Sequence, residues 1–290
     1  MAPVPPLRIG RRVFAWGART YVMGVLNVSP DSFSGDGVTD PEAACARGRA
    51  LAADGADILD VGGVSTRPGA APVPPEEELA RILPVIRRLA GELEIPLSVD
   101  TTRAEVARQA VEAGAALVND VSALRADPAM ADVVAALGVP VVLMHGYPPP
   151  ADAPRDLMSG IVGFLLERIT FAVGRGIARS RILVDPGFGF GKTVDHNLEL
   201  LRRLGELRAL GRPVVIGTSR KGTIGRVLGG LPPAERDDGT AATVAAAILA
   251  GADVVRVHNV RAMARVARMA DAIARGRTGA DHPPREGRDA

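Results

Sequence analysis

The chain repeats one pattern eight times: a short aliphatic run, a polar or glycine-rich break, and a longer segment rich in Ala, Leu and Arg with helical spacing. The apolar runs cover residues 21–28, 56–61, 96–100, 115–120, 139–145, 181–185, 213–219 and 252–258. The helical segments lie near 41–54, 76–90, 103–113, 128–137, 157–177, 195–209, 238–250 and 260–275. This alternation predicts parallel strands covered by helices, and eight units predict closure into a single-domain (β/α)8 TIM barrel. An open, doubly wound sheet is the alternative fold.

Glycines mark the boundaries of these units. Gly55, Gly114, Gly138 and Gly251 each stand between a predicted helix and the strand that follows it. Glycine takes the left-handed conformation that ends a helix at no steric cost. We therefore expect these four residues to terminate helices.

The repeat also divides the chain. We predict a barrel over residues 21–275, preceded by an extension over residues 1–20 in which residues 7–18 form a hairpin across the N-terminal mouth of the barrel. Residues 276–290 are polar and contain Pro-Pro, so a flexible tail is expected there and His282 is given no role. A barrel of this kind commonly needs about 250 residues, which fits this division.

Charge and hydropathy indicate where the protein is located in the cell and what kind of ligand it binds. The uncharged stretch 239–252 is shorter than the roughly 20 residues that cross a bilayer, and the N-terminus does not resemble a secretory signal. We therefore expect no membrane segment and a cytoplasmic protein. The net charge is only +2 and the arginines are scattered, which favours a small ligand over nucleic acid. The single cysteine, Cys45, is expected to be a buried, inert thiol.

Lysine is rare in this chain. Lys and Arg together number 35, yet only Lys192 and Lys221 are lysines. An ammonium on a flexible stem and a planar guanidinium are not interchangeable, so the two lysines are candidates for specific chemistry. Chance is the alternative explanation.

Nearly every predicted strand ends in a polar residue. These residues are Asn27, Asp60, Asp100, Asn119, His145, Asp185, Ser219 with Lys221, and Arg256 with His258. In barrels of this type the active site forms at the C-terminal ends of the strands, so these side chains are expected to converge on one pocket. Any one of them alone fits a helix cap or a turn equally well.

Two features predict an anion site at the end of the barrel repeat. Arg256 and His258 are two residues apart on a strand, so they point to the same side. Residues 217–222 run from a strand into a predicted helix start, which offers N–H donors to an anion. Loops after the seventh and eighth strands usually bind phosphate in this fold. The alternative, an ordinary surface cation, fits Arg220 but fits the rare Lys221 poorly.

Other motifs fail. The segment 187–193 resembles a phosphate-binding loop, but Pro186 stands where its first glycine belongs, and the glycines also miss the dinucleotide pattern. The sequence contains no Cys/His metal cluster and no Gly-x-Ser-x-Gly elbow. The remaining pocket of Asp100, Asn119 and Asp185 suits a flat nitrogen heterocycle with an exocyclic amine, whose carbonyl would face Lys221.

Seven segments in this order resemble the dihydropteroate synthase family over residues 21–270. They are MGVLNVSPDSFSGDG, GADILDVGGVSTRPG, SVDTTRAEVARQAVEAGAALVNDVS, VVLMH, ILVDPGFGFGKT, GTSRKG and VVRVHNV. The resemblance implies a transferase of folate biosynthesis that condenses p-aminobenzoate with 6-hydroxymethyl-7,8-dihydropterin pyrophosphate, giving 7,8-dihydropteroate and pyrophosphate. It also implies Mg²⁺ and a homodimer.

The resemblance further implies roles for individual residues. The pterin would be bound by Asp100, Asn119, Val121, Met144, Asp185 and Lys221. The pyrophosphate would be bound by Asn27, Arg256 and His258, with Asn27 also near Mg²⁺. The p-aminobenzoate would be bound by Thr66, Arg67, Pro68, Phe190, Lys221 and the residues around Ser219. Catalysis would depend on Lys221, Asp100, Asp185 and Arg67. Residues 29–37 and 65–69 are rich in Gly, Ser and Pro and are expected to be mobile lids.

Three positions depart from the family pattern. Val64 stands where many relatives have glutamate, Asn259 where aspartate is frequent, and Gly222 where serine or a larger residue is frequent. We expect these changes to adjust affinity and not to abolish activity. Two alternative functions stay open: a pterin-binding methyltransferase barrel, which needs no aminobenzoate loop, and a catalytically silent paralogue that only binds pterin.

Overall fold

The computed structural model describes residues 4–29, 37–64, 73–146 and 156–276. In these ranges the strands are β1 Leu7–Ile9, β2 Arg12–Phe14, β3 Tyr21–Asn27, β4 Ile58–Gly62, β5 Leu97–Asp100, β6 Leu117–Asp120, β7 Val141–Met144, β8 Ile182–Asp185, β9 Val215–Ile216 and β10 Val254–Val257. The α-helices are α1 Pro41–Asp54, α2 Pro75–Glu92, α3 Ala104–Glu112, α4 Met130–Leu137, α5 Leu157–Gly174, α6 Val194–Arg202, α7 Gly222–Val227, α8 Asp237–Leu249 and α9 Val260–Arg275.

The eight strands β3 to β10 form one parallel sheet that curls into a barrel. Each strand from β3 to β7 pairs with the next one in the chain, and β10 pairs with both β3 and β9. The ring is completed between β8 and the residue before β9 by a parallel bridge between Val184 and Val214, supported by a 3.0 Å hydrogen bond from Val184 N to Pro213 O. The (β/α)8 barrel is therefore confirmed, and the open sheet is excluded.

The glycines predicted to end helices adopt left-handed backbone. The φ angles of Gly55, Gly114, Gly138 and Gly251 are 115°, 118°, 63° and 99°. In each case the chain turns directly into the next barrel strand, so this prediction is confirmed.

Two elements differ from the sequence prediction. The helix predicted over 195–209 is α6 followed by a 3-10 helix at Leu204–Leu210. Leu204, Leu207 and Leu210 are all buried, and their spacing of three matches the three residues per turn of a 3-10 helix. The strand predicted over 213–219 is shorter in the structure: β9 covers Val215–Ile216, with one further bridge at Val214, and the chain then turns into the short helix α7.

The hairpin of β1 and β2 covers the N-terminal end of the barrel, as predicted. Leu7, Ile9 and Phe14 pack in one buried cluster with residues that point into the barrel, including Met23 and Leu183. A second, larger cluster lies between the strands and the surrounding helices and contains the fully buried side chains of α2 and α5. The hairpin thus fills the end of the barrel opposite to the strand C-termini.

Within the described residues, one helix, α5, meets the length and composition of a membrane span. The expectation of no such segment was too narrow, because it considered only uncharged stretches and α5 contains Glu167 and Arg168. The helix buries Ile161, Leu165 and Ile169 against the barrel. Arg168 is itself buried and donates a 2.9 Å hydrogen bond to Ala123 O. Helix α5 is therefore a layer helix of the barrel in this structure.

Candidate active site

The C-terminal ends of the barrel strands bring the predicted polar residues to one rim. Strand register places Asp100 of β5 beside Asn119 of β6, and Met144 of β7 beside Asp185 of β8. Parallel strands in register end at the same height, so side chains at corresponding positions meet across the rim. The rim therefore gathers residues that are far apart along the chain.

A buried cluster of two acids, an amide and an arginine forms the floor of this rim. Arg256 donates from Nε to Asp60 Oδ2 at 2.6 Å and from Nη2 to Asp100 Oδ2 at 2.8 Å. Asn119 Nδ2 donates to the same Asp60 oxygen at 2.9 Å. Within the described residues, Oδ1 of Asp100 is buried without a hydrogen-bond partner. Such an oxygen is an acceptor for a ligand N–H.

Burial sets the ionisation of this cluster. It raises the pKa of Asp100 to about 7, against the opposing effect of Arg256 and with the help of the neighbouring Asp60 carboxylate. Burial also raises the pKa of Asp185, and the nearby Lys221 ammonium opposes it. For Arg256, burial acts to lower the pKa, but Asp60 and Asp100 together raise it, so this guanidinium stays charged. The floor is poised to exchange protons near neutral pH.

Lys221 follows β9, the strand that pairs with the Arg256 strand β10. Its Nζ donates to Phe188 O and lies 4.4 Å from the centre of the Phe190 ring. Burial lowers the pKa of Lys221 to about 7, and the Asp185 carboxylate partly offsets this effect. Lys221 interacts electrostatically with Asp185, Asp100 and Arg256, so the four charged groups are neighbours at this rim.

A strained turn aims Lys221. The preceding Arg220 has a left-handed φ of 58°, which is rare for a residue with a side chain. Its guanidinium pairs with Asp237 at 2.8 Å and 3.0 Å, and its carbonyl accepts a 2.8 Å bond from Arg236. Asn259 donates to the same Asp237 at 2.9 Å. These contacts hold the turn between β9 and α7.

The structure shows the surroundings of Asn259 and Gly222, two residues that differ from the family pattern. Asn259 caps α9 by accepting from Ala262 N at 3.2 Å, as an aspartate would, while its amide serves Asp237. An aspartate there would place two carboxylates together. Gly222 begins α7 with open space around its Cα, so no neighbour requires glycine at this position. Val64 lies half-buried directly after β4, and nothing in the structure explains its substitution.

The other predicted residues lie around the same rim. Met144 is buried at the end of β7, and a Cβ on Gly146 would lie 3.0 Å from its methyl group and 2.2 Å from Val121 O. Ser219 and His258 contact each other, with Ser219 Oγ 2.9 Å from His258 Nδ1. Asn27 is half-buried at the end of β3.

Several predictions fall outside the described residues. These are Thr66, Arg67 and Pro68, most of the first loop at 29–37, the whole of the second loop at 65–69, and the tail from 277 onward. The roles given to them stay predictions.

Sequence reasoning named Asp60 as a strand-end residue but gave it no role. The structure makes it the common partner of Arg256 and Asn119, and Asp60 is fully buried. Its position two residues before the glycine that ends β4 could have indicated this, because alternate residues share one side of a strand. Lys192, singled out only by its rarity, lies beside His145 at the end of β7.

No group of three or more His, Cys, Asp or Glu side chains suited to a metal ion occurs in the described part of the chain. Mg²⁺ bound at this rim would therefore take most of its ligands from a substrate and from water. This is how Mg²⁺ usually binds where a substrate carries phosphates.

The fold and the site define a class of protein: a (β/α)8 barrel whose C-terminal rim carries buried acids, an amide and two cations. The family described as "Pterin binding enzyme" matches residues 23–258. A dihydropteroate synthase from Synechocystis sp. is 46% identical over 275 residues, which cover 93% of this chain and 95% of the relative.

Solved structures agree. The dihydropteroate synthase of Xanthomonas albilineans with 4-aminobenzoic acid has a TM-score of 0.85 and 47% identity, covering 94% of this chain and 99% of that one. The same enzyme in complex with 7,8-dihydropteroate has a TM-score of 0.83 and 44% identity, covering 93% and 99%. The chain belongs to the dihydropteroate synthase family, transferases of folate biosynthesis.

Proposed function

We propose that this chain condenses p-aminobenzoate with 6-hydroxymethyl-7,8-dihydropterin pyrophosphate, releasing 7,8-dihydropteroate and pyrophosphate, in the cytoplasm and as a homodimer. One observation carries the proposal: Arg256 bridges two buried acids at the rim, and Lys221, after the neighbouring strand β9, lies over an aromatic ring. Acids and amides suit the pterin, and the cations suit the charged groups at its edge.

The pterin half-site uses the buried floor. The Asp100 oxygen that lacks a partner in the described structure accepts an N–H of the pterin, while Asn119 and Asp185 bind the other ring edges. Lys221 donates to the ring carbonyl, and Val121 and Met144 contact the ring faces. Asp100, Asn119 and Asp185 are buried, so each of these hydrogen bonds is stronger than it would be at the surface.

The diphosphate half-site uses Arg256, His258 and Asn27. The C–O bond at the pterin methylene breaks, and both of its electrons stay on the oxygen of the departing diphosphate. The aniline nitrogen then forms the new C–N bond with the methylene carbon and loses a proton to water. Arg256 stabilises the negative charge that accumulates on the leaving group. Asn27 offers an oxygen of the type that Mg²⁺ prefers, and the ion, when bound, neutralises charge on the diphosphate.

The p-aminobenzoate half-site uses the Phe190 ring, Lys221 and the turn around Ser219. The ring stacks on the benzoate, and the N–H groups at the start of α7 together with Lys221 bind its carboxylate. With glycine at position 222, backbone N–H groups take the place of a side-chain donor. Thr66, Arg67 and Pro68 complete this half-site in the proposal.

The experiment mixes the purified chain with the pterin pyrophosphate and measures released pyrophosphate and dihydropteroate separately. We expect both products in equal amounts, and only when p-aminobenzoate and Mg²⁺ are both supplied. Chelation of Mg²⁺ with EDTA should stop turnover, and excess Mg²⁺ should restore it. Pyrophosphate release that ignores p-aminobenzoate contradicts synthase function, and pterin binding without any release indicates the silent paralogue.

A further inference from the structure

Lys192, one of only two lysines in the chain, has no part in the function proposed above. It lies between the glycine-rich segment after β8 and helix α6. Four acceptors surround its ammonium: His145 Nδ1 at 3.0 Å and the carbonyl oxygens of Gly187 at 2.9 Å, His145 at 3.2 Å and Phe190 at 3.3 Å. An ammonium with three N–H donors is fully used by these contacts.

The ionisation of the pair agrees with this arrangement. Burial, together with the adjacent Lys192 ammonium, lowers the pKa of His145 to about 4, so its imidazole is neutral at physiological pH. Nδ1 therefore accepts a hydrogen bond from Lys192. Burial lowers the pKa of Lys192 to about 8, which leaves it mostly charged at pH 7. One cation thus ties the end of β7 to the segment after β8.

Two glycines of the segment that Lys192 holds lie where a side chain would clash with a neighbour. A Cβ on Gly187, whose φ is +70°, would lie 2.0 Å from His145 O. A Cβ on Gly189, whose φ is +80°, would lie 2.7 Å from Lys221 Cδ. From its other side the segment is held by buried Asn197, which accepts from Gly189 N at 2.7 Å and donates to Thr223 Oγ1 at 2.9 Å.

The same segment holds Lys221. Phe190 contributes its carbonyl to Lys192 and its ring to Lys221, and the neighbouring Phe188 carbonyl accepts from Lys221 Nζ. A shift of the segment would therefore move both the aromatic ring and the lysine. Asp100 and Asp185, the acids assigned to the pterin, lie on β5 and β8, and neither contributes an acceptor to Lys192. Asp185 does accept a 2.6 Å hydrogen bond from Gly187 N of the segment.

We propose that Lys192 is a positioning residue for the p-aminobenzoate half-site: its ammonium fixes the segment 187–190, which in turn fixes the Phe190 ring and the Lys221 ammonium. This inference rests on the proposed function. It differs from a purely structural role because it predicts a larger loss of p-aminobenzoate binding than of pterin binding. Lys221 and Asp185 connect the segment to the pterin, but Asp100 and Asn119 on β5 and β6 also bind the pterin in the proposed function.

The test compares Lys192→Met, which keeps the length of the side chain and removes the donors, with the wild type. The KM for p-aminobenzoate should rise roughly 10-fold or more. The Kd for the pterin pyrophosphate, measured by calorimetry with Mg²⁺ and without p-aminobenzoate, should stay within about threefold of the wild-type value.

The matched control is Arg179→Met. Arg179 Nη2 donates to Leu210 O at 3.1 Å next to the opposite end of β8, so this variant also removes a cation from a carbonyl. The KM for p-aminobenzoate and the Kd for the pterin pyrophosphate should both stay within about twofold of the wild-type values. If Lys192→Met does not fold, as judged by circular dichroism, Lys192→Gln keeps two N–H donors and should show a smaller rise in the same KM.

An unchanged KM for p-aminobenzoate in a folded Lys192 variant overturns the inference, and so does an equal weakening of both substrates. Failure of the proposed function is distinguishable from either result, because in that case the wild-type chain itself makes no dihydropteroate.

Discussion

Lys221 has little room to change. A Cβ on Gly189 would lie 2.7 Å from Lys221 Cδ, so the glycine backbone already packs against the lysine stem. We predict that Lys221→Arg lowers kcat/KM by roughly 100-fold or more although it keeps the charge, because the broader guanidinium does not fit. Steady-state kinetics with both substrates measure this, and near-normal activity would contradict a shaped lysine pocket.

The pKa values of two rim residues predict a narrow pH optimum. Asp100 must be ionised to accept the pterin N–H, and burial raises its pKa to about 7, so activity should fall as pH drops through this value. Lys221 must be protonated to bind anionic groups, and burial lowers its pKa to about 7, so activity should fall as pH rises through it. The profile of kcat/KM against pH reports both groups in the free enzyme.

The Asp60→Asn variant tests whether Asp100 causes the fall in activity at low pH (the acid limb) independently of the fall at high pH (the alkaline limb). The Asp60 carboxylate helps to raise the pKa of Asp100, so its removal should move the acid limb to lower pH and leave the alkaline limb in place. An acid limb that does not move would show that another group titrates there.

At the scale of single elements, the residue that caps α9 affects both the stability of the fold and the turn before Lys221. Asn259 caps the helix through Ala262 N and also contacts Asp237, the partner of Arg220. We predict that Asn259→Ala costs about 1 kcal/mol of unfolding free energy and also lowers kcat/KM, because the turn before Lys221 loses support. Denaturant melts and kinetics on the same preparation measure the two effects.

Asp40→Ala is the control for this prediction. Asp40 caps α1 through a 2.8 Å bond from Ala43 N and contacts no residue of the turn. It should lose a similar unfolding free energy, about 1 kcal/mol, with unchanged kinetics. If both variants lose activity alike, the effect belongs to helix stability and not to the Asp237 contact.

At the scale of the whole molecule, the hairpin that stabilises the fold and the proposed active site lie at opposite ends of the barrel. The hairpin fills the N-terminal end, where Phe14 is 1% exposed and its ring centre lies 4.7 Å from that of Tyr21. The proposed site lies at the other end. Phe14→Ala should therefore cost about 3–5 kcal/mol in stability and lower Tm, while KM for both substrates stays unchanged at temperatures where the variant is folded.

The adjacent Val13 offers a matched comparison, because its side chain is 54% exposed. Val13→Ala should change stability by less than about 0.5 kcal/mol. A KM change in folded Phe14→Ala would mean that the two ends of the barrel are coupled.

The alternation of apolar runs and helical segments was sufficient to predict the barrel, because strand and helix periods are local properties of the chain. The same pattern predicted that polar residues after the strands share one rim, since parallel strands end together. Glycines at the helix ends were equally readable, because only the backbone of glycine takes positive φ without cost.

Which rim residues contact each other was decided only by the tertiary structure. Arg256 pairs with Asp60 across 196 positions of sequence, and Lys192 contacts His145 across 47. Strand periodicity gives the direction of a side chain but not the distance between chain-distant neighbours, which depends on how the barrel closes. The two-residue length of β9 has the same origin, because the turn that holds Lys221 competes there with strand pairing.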